Sequence, residues 1–197
     1  MRWPIDAMVI DELLDMLADG RLAAPSFQRH YVWSRKKARK LMTSLLGGYT
    51  CGTLVLWRPP DRSVTSVRGA SAENWSDLIL DGHQRLATLY MLVRGNVPPT
   101  CSEGTLRHDP RDMVFDLSAG SFSYPERVRH SSNSCLPVVD CFCSPYGEII
   151  RRVSGEVQKE AAKVVRSLHG IRDLAYPIER VSMTPEEAKK TYDPLHR

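Results

Sequence analysis

Pattern alone predicts a domain that mixes helices and strands, of the α/β or α+β class. Two stretches repeat apolar residues at helical spacing, Ile10, Leu13, Leu14, Leu17 and then Ala38, Leu41, Met42, Leu45. Two others, "GTLVLW" at Gly52 to Trp57 and "LIL" at Leu78 to Leu80, are short apolar runs typical of buried strands. The second run passes through Asp81 and Gly82 straight into a third helical spacing, Leu86, Leu89, Tyr90 and Val93.

Taken in order, Asp6 to Ala18 reads as a first helix, with acids near its start and Gly20 as its stop. "RLAAPSFQRHYVW" reads as extended, because Pro25 opposes helix there. On an extended strand with Phe27 inward, Arg29 and Tyr31 share that face while Gln28 and His30 take the other. Ser34 is the expected N-cap of a second helix over Arg35 to Leu46, which Gly47 and Gly48 end. The strand at Gly52 to Trp57 precedes a polar loop, and the strand–glycine–helix unit at Ser76 to Gly95 follows. Beyond it, "MVFDLSAGSFSYP" reads as a hairpin turning near Ala119 and Gly120. "SPYGEIIRRVSGEVQKEAAKVVRSLHG" reads as one or two helices, and "YPIERVSM" as a further strand. Thr184, Pro185 and Glu187 spell a capping box that opens a last helix.

Composition narrows the class of protein. With 42% hydrophobic and 25% charged residues, the chain is globular in character rather than disordered. It has no apolar run near the roughly 18 residues of a membrane span, and its acid-rich start is unlike a signal peptide. A cytoplasmic protein without membrane contact is expected. Five cysteines, an odd number without CxxC spacing, imply reduced thiols. Cys135, Cys141 and Cys143 with His130 match no standard zinc spacing, so no metal site of the protein's own is expected.

Charge is unevenly placed. From Gly20 to Pro60 there is no acid, but eight Lys and Arg residues, including Arg35, Lys36, Lys37, Arg39 and Lys40. Such a segment attracts phosphate, and these five residues are the candidate DNA contacts. A solvated helix face explains "SRKKARK" equally well.

The cluster Asp81, Gly82, His83, Gln84, Arg85 sits at the strand-to-helix joint. Glycine lets a ligand approach the backbone, free amides at a helix start favour an anion, and an arginine adds a bidentate donor. Asp81 can hold a metal ion or orient a water, Gln84 can position that water, and His83 can exchange a proton near neutral pH. The cluster therefore suits a nucleoside triphosphate. The competing reading makes Asp81 an N-cap, Arg85 a surface cation and His83 a satisfied polar side chain. Neither a Walker nor a Rossmann fingerprint is present. A second cluster, Gln28, Arg29, Tyr31 and Trp33, interleaves aromatic rings with an amide and a guanidinium. It can stack on a base while holding phosphate, although core packing accounts for the rings as well.

In this order, "PSFQRHYVW", "LMTSLLGGYTCGTLVLW" and "LILDGHQRLATLY" resemble the N-terminal domain of GmrSD-type modification-dependent restriction enzymes, whose last motif is usually DGQQRLTTL. The resemblance is close from Leu22 to about Gly95 and looser up to "TPEEA". It implies an α+β fold with a ParB/sulfiredoxin-like mixed-sheet core, residues 1–125, and a mainly helical C-terminal extension, 126–197, shortened relative to the family. It also implies nucleotide binding by Gln28, Arg29, Tyr31, Gly52, Thr53, Gly82 and Arg85. Asp81, His83, Gln84 and Arg85 would carry hydrolysis, with Mg²⁺ accompanying the triphosphate. His83 replaces the family's usual glutamine, which puts hydrolysis in question, and no cysteine stands in the turn for sulfiredoxin chemistry. Two readings result. The first is an NTP-hydrolysing regulatory domain of a restriction or phage-defence system, whose nuclease lies on another chain or region. The second is a non-hydrolytic ParB-like module that binds nucleotide or DNA and scaffolds such a partner. Self-association is compatible with either.

Overall fold

A computed structural model describes residues 5–49, 51–60, 64, 66–70, 74–125, 134–153 and 155–192. The fold is α+β, as expected, and centres on a mixed six-stranded sheet. Its strands are β1 (Ile5–Val9), β2 (Leu22–Pro25), β3 (Leu54–Trp57), β4 (Val67–Arg68), β5 (Asp77–Asp81) and β9 (Ala175–Val181), in the order β1-β9-β3-β5-β2-β4. The β9–β3 and β5–β2 pairs are parallel and the other three antiparallel. A second, antiparallel sheet joins β6 (Val114–Asp116) to β7 (Ser121–Ser123) and β8 (Cys135–Pro137).

Strands β2, β3 and β5 of the first sheet are buried on both faces, which is why β3 and β5 read as unbroken apolar runs rather than alternating ones. Alternate side chains nevertheless go to different cores. Leu22, Leu54, Leu56, Ile79, Tyr176 and Ile178 join the main core. That core includes residues of α1 (Ile10–Ala18), α2 (Arg35–Leu46), α3 (His83–Arg94), α4 (Val138–Cys143), α5 (Tyr146–Arg151) and α6 (Gln158–Gly170). Ala23, Val55, Trp57, Leu78, Leu80 and Val181 form a smaller core on the opposite face. Ala188 of α7 (Pro185–Tyr192) packs into it.

The first expected helix begins late. Ile5–Val9 is strand β1, antiparallel to β9, and only Ile10–Ala18 is helical. Strand β1 satisfies the main-chain hydrogen-bonding edge of β9 that β3 leaves open, and that tertiary demand overrode the local pattern. The extended reading of Leu22 to Trp33 also ends early. Pro25 accepts a hydrogen bond from the Gln28 amide in a turn that swaps two residues, Gln28 being buried and Arg29 exposed, while Tyr31 is buried and His30 exposed as the alternation expects. Helices α2 and α3, strands β3 and β5 and the β6–β7 hairpin fall where patterning put them. Strand β9 lies between β1 and β3, so residues on both sides of position 125 build the sheet. In α7 the capping box is formed: the Thr184 amide donates to Glu187 Oε2 at 2.9 Å and the Glu187 amide to Thr184 Oγ1 at 3.3 Å. Ser34 occupies the N-cap position of α2, but its side chain makes no capping hydrogen bond. Among the described residues, no helix is long and apolar enough to cross a membrane.

Candidate functional site

The β5–Gly82–α3 joint opens into a cavity of about 260 Å³. Gln28, Arg29 and Trp33 line one side, Asp81 through Arg85 the floor, and Tyr192 of α7 the far wall. Gly82 is required on two counts. Its φ is +95°, in the left-handed region, and a Cβ there would lie 2.1 Å from Leu54 Cδ2. The first bond inside α3 runs from the Leu86 amide to the Gly82 carbonyl at 3.0 Å, and no side chain caps the helix start. The preceding amides therefore present partial positive charge beside the cavity.

The first turn of α3 also fastens two loops. Gln84 Oε1 accepts from the Val32 amide at 2.8 Å, and its Nε2 donates to the His30 carbonyl at 2.9 Å. Arg85 fastens the other loop, donating to the carbonyls of Cys51 and Thr53, the latter at 2.9 Å. It also donates to the Tyr176 hydroxyl at 3.3 Å and to Asp81 Oδ2 at 3.0 Å. Gly52 permits this wrap, since a Cβ there would meet Arg85 Nη1 at 2.7 Å. Thus Gly52 and Thr53 contact the Arg85 guanidinium rather than line the cavity.

Four of the expected roles change accordingly. Gln84, expected to position a water, spends both ends of its amide on main-chain groups. Arg85, expected to grip phosphate, is only 12% exposed and makes four bonds within the protein. Tyr31, expected to stack on a base, is 1% exposed, and its hydroxyl bonds Thr88 Oγ1 at 3.0 Å. Burial raises its pKa to about 12. His83 is 3% exposed, with Nε2 3.1 Å from Thr100 Oγ1. Burial, followed by the nearby Arg68 and His30 charges, lowers its pKa to about 4. Its neutral form is therefore favoured near pH 7.

The remaining expected residues fall into place differently. Gln28 is buried, with Nε2 donating to the Leu80 carbonyl at 2.6 Å, next to the cavity floor. Arg29 is exposed at the rim, with no side-chain partner among the described residues. Asp81 is half-exposed, and Arg85 engages its Oδ2. Of the basic run on α2, Arg35 turns to the protein. It pairs with Asp112 at 3.3 Å and lies 4.8 Å from the Tyr124 ring centroid. Lys36, Lys37 and Lys40 are exposed and Arg39 is half-buried, so a charged face remains without Arg35.

Two contributors escaped sequence reasoning. Arg68 of β4 donates to the Gln28 carbonyl and lies 2.9 Å from His30 Nδ1, bracing residues 28–30. It sits in a two-residue strand inside a polar loop, with no pattern to announce it. Tyr192 reaches the cavity from the last turn of α7. The capping box located that helix but carried no signal of where it docks. Among the described residues no group of three or more His, Cys, Asp or Glu side chains is placed to hold a metal ion. Cys135, Cys141 and Cys143 are free thiols, and His130 lies outside the described residues.

Comparison with known proteins agrees with this arrangement of motifs. The sequence model of the family described as GmrSD restriction endonuclease, N-terminal domain, matches residues 10–190. The chain is also 33% identical over 96 residues to an uncharacterized protein of Methanocaldococcus jannaschii, covering 41% of this chain and 16% of that protein. It therefore spans well under a quarter of that relative's length.

Proposed function

Because the chain belongs to the GmrSD restriction endonuclease N-terminal domain family, we propose that the cavity binds a nucleoside triphosphate and that its hydrolysis regulates a nuclease. The observation that carries this reading is the uncapped start of α3 at Gly82, open to a cavity with Arg29 on its rim and Asp81 on its floor. The α3 amides and the Arg29 guanidinium hold phosphate oxygens, while Gly82 allows their close approach.

The donor set also fits a magnesium ion. Mg²⁺ on a triphosphate is held mainly by phosphate oxygens and waters and needs only one or two carboxylates. Among the described residues Asp81 is the one carboxylate that lines the cavity, and only its Oδ2 is engaged by Arg85. When bound, the ion would offset phosphate charge. Asp81 is also the group left to orient an attacking water, since His83 and Gln84 are held by the protein. Gln84 and Arg85 act as positioning residues that fix the walls. The nuclease is a separate domain or subunit, and Lys36 and Arg39 supply a DNA-backbone contact.

A second reading, binding without turnover, is favoured by one observation: the two side chains best suited to water activation, His83 and Gln84, are both committed to internal contacts. One experiment separates the two. Binding and phosphate release are measured for ATP, GTP, CTP and UTP with Mg²⁺, with and without DNA, in wild type, Arg29→Ala and Asp81→Asn. Arg29→Ala weakens binding about tenfold, the equivalent of one charge-assisted contact. Asp81→Asn abolishes release and retains binding. Binding without release in the wild type selects the second reading, and no binding of any nucleotide refutes both.

A further inference from the structure

A second cavity, of about 470 Å³, adjoins the first on the α2 side. The two share Trp33 and Arg85 as walls. We infer that this second cavity takes the nucleoside of the nucleotide whose phosphates occupy the first, with Trp33 lining both. The inference rests on the triphosphate reading of the first cavity.

Size is the first argument. Cavities that enclose a drug-sized ligand run from roughly 300 to 1,000 Å³. The first cavity, at about 260 Å³, falls below that range and the second, at about 470 Å³, within it. A polyphosphate fits the first, but a base and sugar need further room, and the adjoining space supplies it.

Chemistry is the second argument. Helix α2 turns Lys37, Lys40, Leu41 and Ser44 to this cavity, positions i, i+3, i+4 and i+7 of one helical face. Leu41, Cys51 and the half-buried Trp33 ring give apolar walls, and among the described residues no acid lines the space. Lys37 and Lys40 have no ion-pair partner among the described residues. An apolar slot beside an indole, rimmed by unpaired ammonium groups and one hydroxyl, suits a flat heterocycle with acceptor atoms on a polar sugar. The basic run on α2 is then divided in use. Arg35 serves the fold, Lys36 and Arg39 are left for the DNA backbone, and Lys37 and Lys40 serve the cavity.

The test compares nucleotides with a ligand that lacks a nucleoside. Affinities for ATP, GTP, CTP, UTP and inorganic tripolyphosphate, each with Mg²⁺, are measured by calorimetry on wild type, Ser44→Trp and Lys40→Glu. Ser44→Trp fills the second cavity from a half-buried position, and Lys40→Glu reverses a charge on an exposed one, so the second variant retains the fold even if the first does not. At least one nucleotide should bind the wild type ten times or more tighter than tripolyphosphate. Both variants should lose that margin while tripolyphosphate affinity stays within about twofold in Ser44→Trp. Variants that keep the wild-type margin, or a wild type that binds nucleotide and tripolyphosphate equally, overturn this inference and leave the triphosphate reading standing. Absence of binding by both kinds of ligand in the wild type overturns the triphosphate reading and this inference with it.

Discussion

Replacing Arg85 separates a residue that holds the fold from one that holds the ligand. In Arg85→Ala the carbonyl of Thr53 loses a charged donor, and a hydrogen bond to a charged group contributes about 1.5–3 kcal/mol. The carbonyl of Cys51 loses its Arg85 bond but keeps the Tyr176 hydroxyl at 3.0 Å, so its loss falls at the low end, about 1.5 kcal/mol. The Asp81 pair adds little, on the order of 0–1 kcal/mol, because the Asp81 side chain is 55% exposed. The sum is about 3–5 kcal/mol, a large share of the roughly 5–15 kcal/mol that stabilises a domain. At about 2–4 °C per kcal/mol for a chain of this size, Tm falls by roughly 6–20 °C. Denaturant unfolding followed by circular dichroism measures the loss, and proteolysis near residues 51–53 reports the released loop. Arg85→Lys recovers only a fraction, since one ammonium cannot span two carbonyls and a carboxylate. An Arg85→Ala protein as stable as wild type that fails to bind nucleotide would refute the clamp and make Arg85 a phosphate ligand instead.

Three further outcomes are expected. Gly82→Ala combines left-handed backbone strain of about 1–2 kcal/mol with overpacking of about 1–3 kcal/mol against Leu54, and a measured loss under 1 kcal/mol in denaturant unfolding would contradict it. Gln84→Ala costs only about 1–2 kcal/mol, because His30 and Val32 are exposed and their freed groups reach water, but amide exchange at Val32 accelerates; unchanged protection there would count against the clamp. The His83 pKa is depressed in the fold to about 4, so its neutral form is favoured: the associated stability is full above pH 6.5 and is lost as pH falls from 6.5 toward 4. His83→Gln, the residue usual in the family, removes that dependence, so wild type should lose about 2 kcal/mol more than the variant between pH 7 and pH 5. Parallel acid limbs in the two proteins would show that His83 does not titrate as its burial requires.

The apolar runs of β3 and β5, the stripes of α1, α2 and α3, and the glycine at the β5–α3 joint were legible because each is a local consequence of side-chain spacing or backbone freedom. The family resemblance was legible for the same reason: its motifs are short, ordered and contiguous. Where the motifs meet was not. Asp81, Gly82, His83, Gln84 and Arg85 are adjacent in sequence and look like one catalytic set. Folding points them in different directions: Gln84 toward residues 30–32, Arg85 toward 51–53, His83 toward Thr100, and Asp81 toward the cavity. Burial and partners, which come from distant segments, decide whether a polar side chain meets ligand or spends its donors inside. The same holds for strand β1, for Arg68 and for Tyr192, whose positions depend on contacts across 38 to 174 residues of chain. The sequence by itself determined most of the elements, the joint and the family; the tertiary structure alone decided the edge strand β1 and which residues of the joint remain available for chemistry, because desolvation and hydrogen-bond satisfaction are properties of packed neighbours and not of residue order.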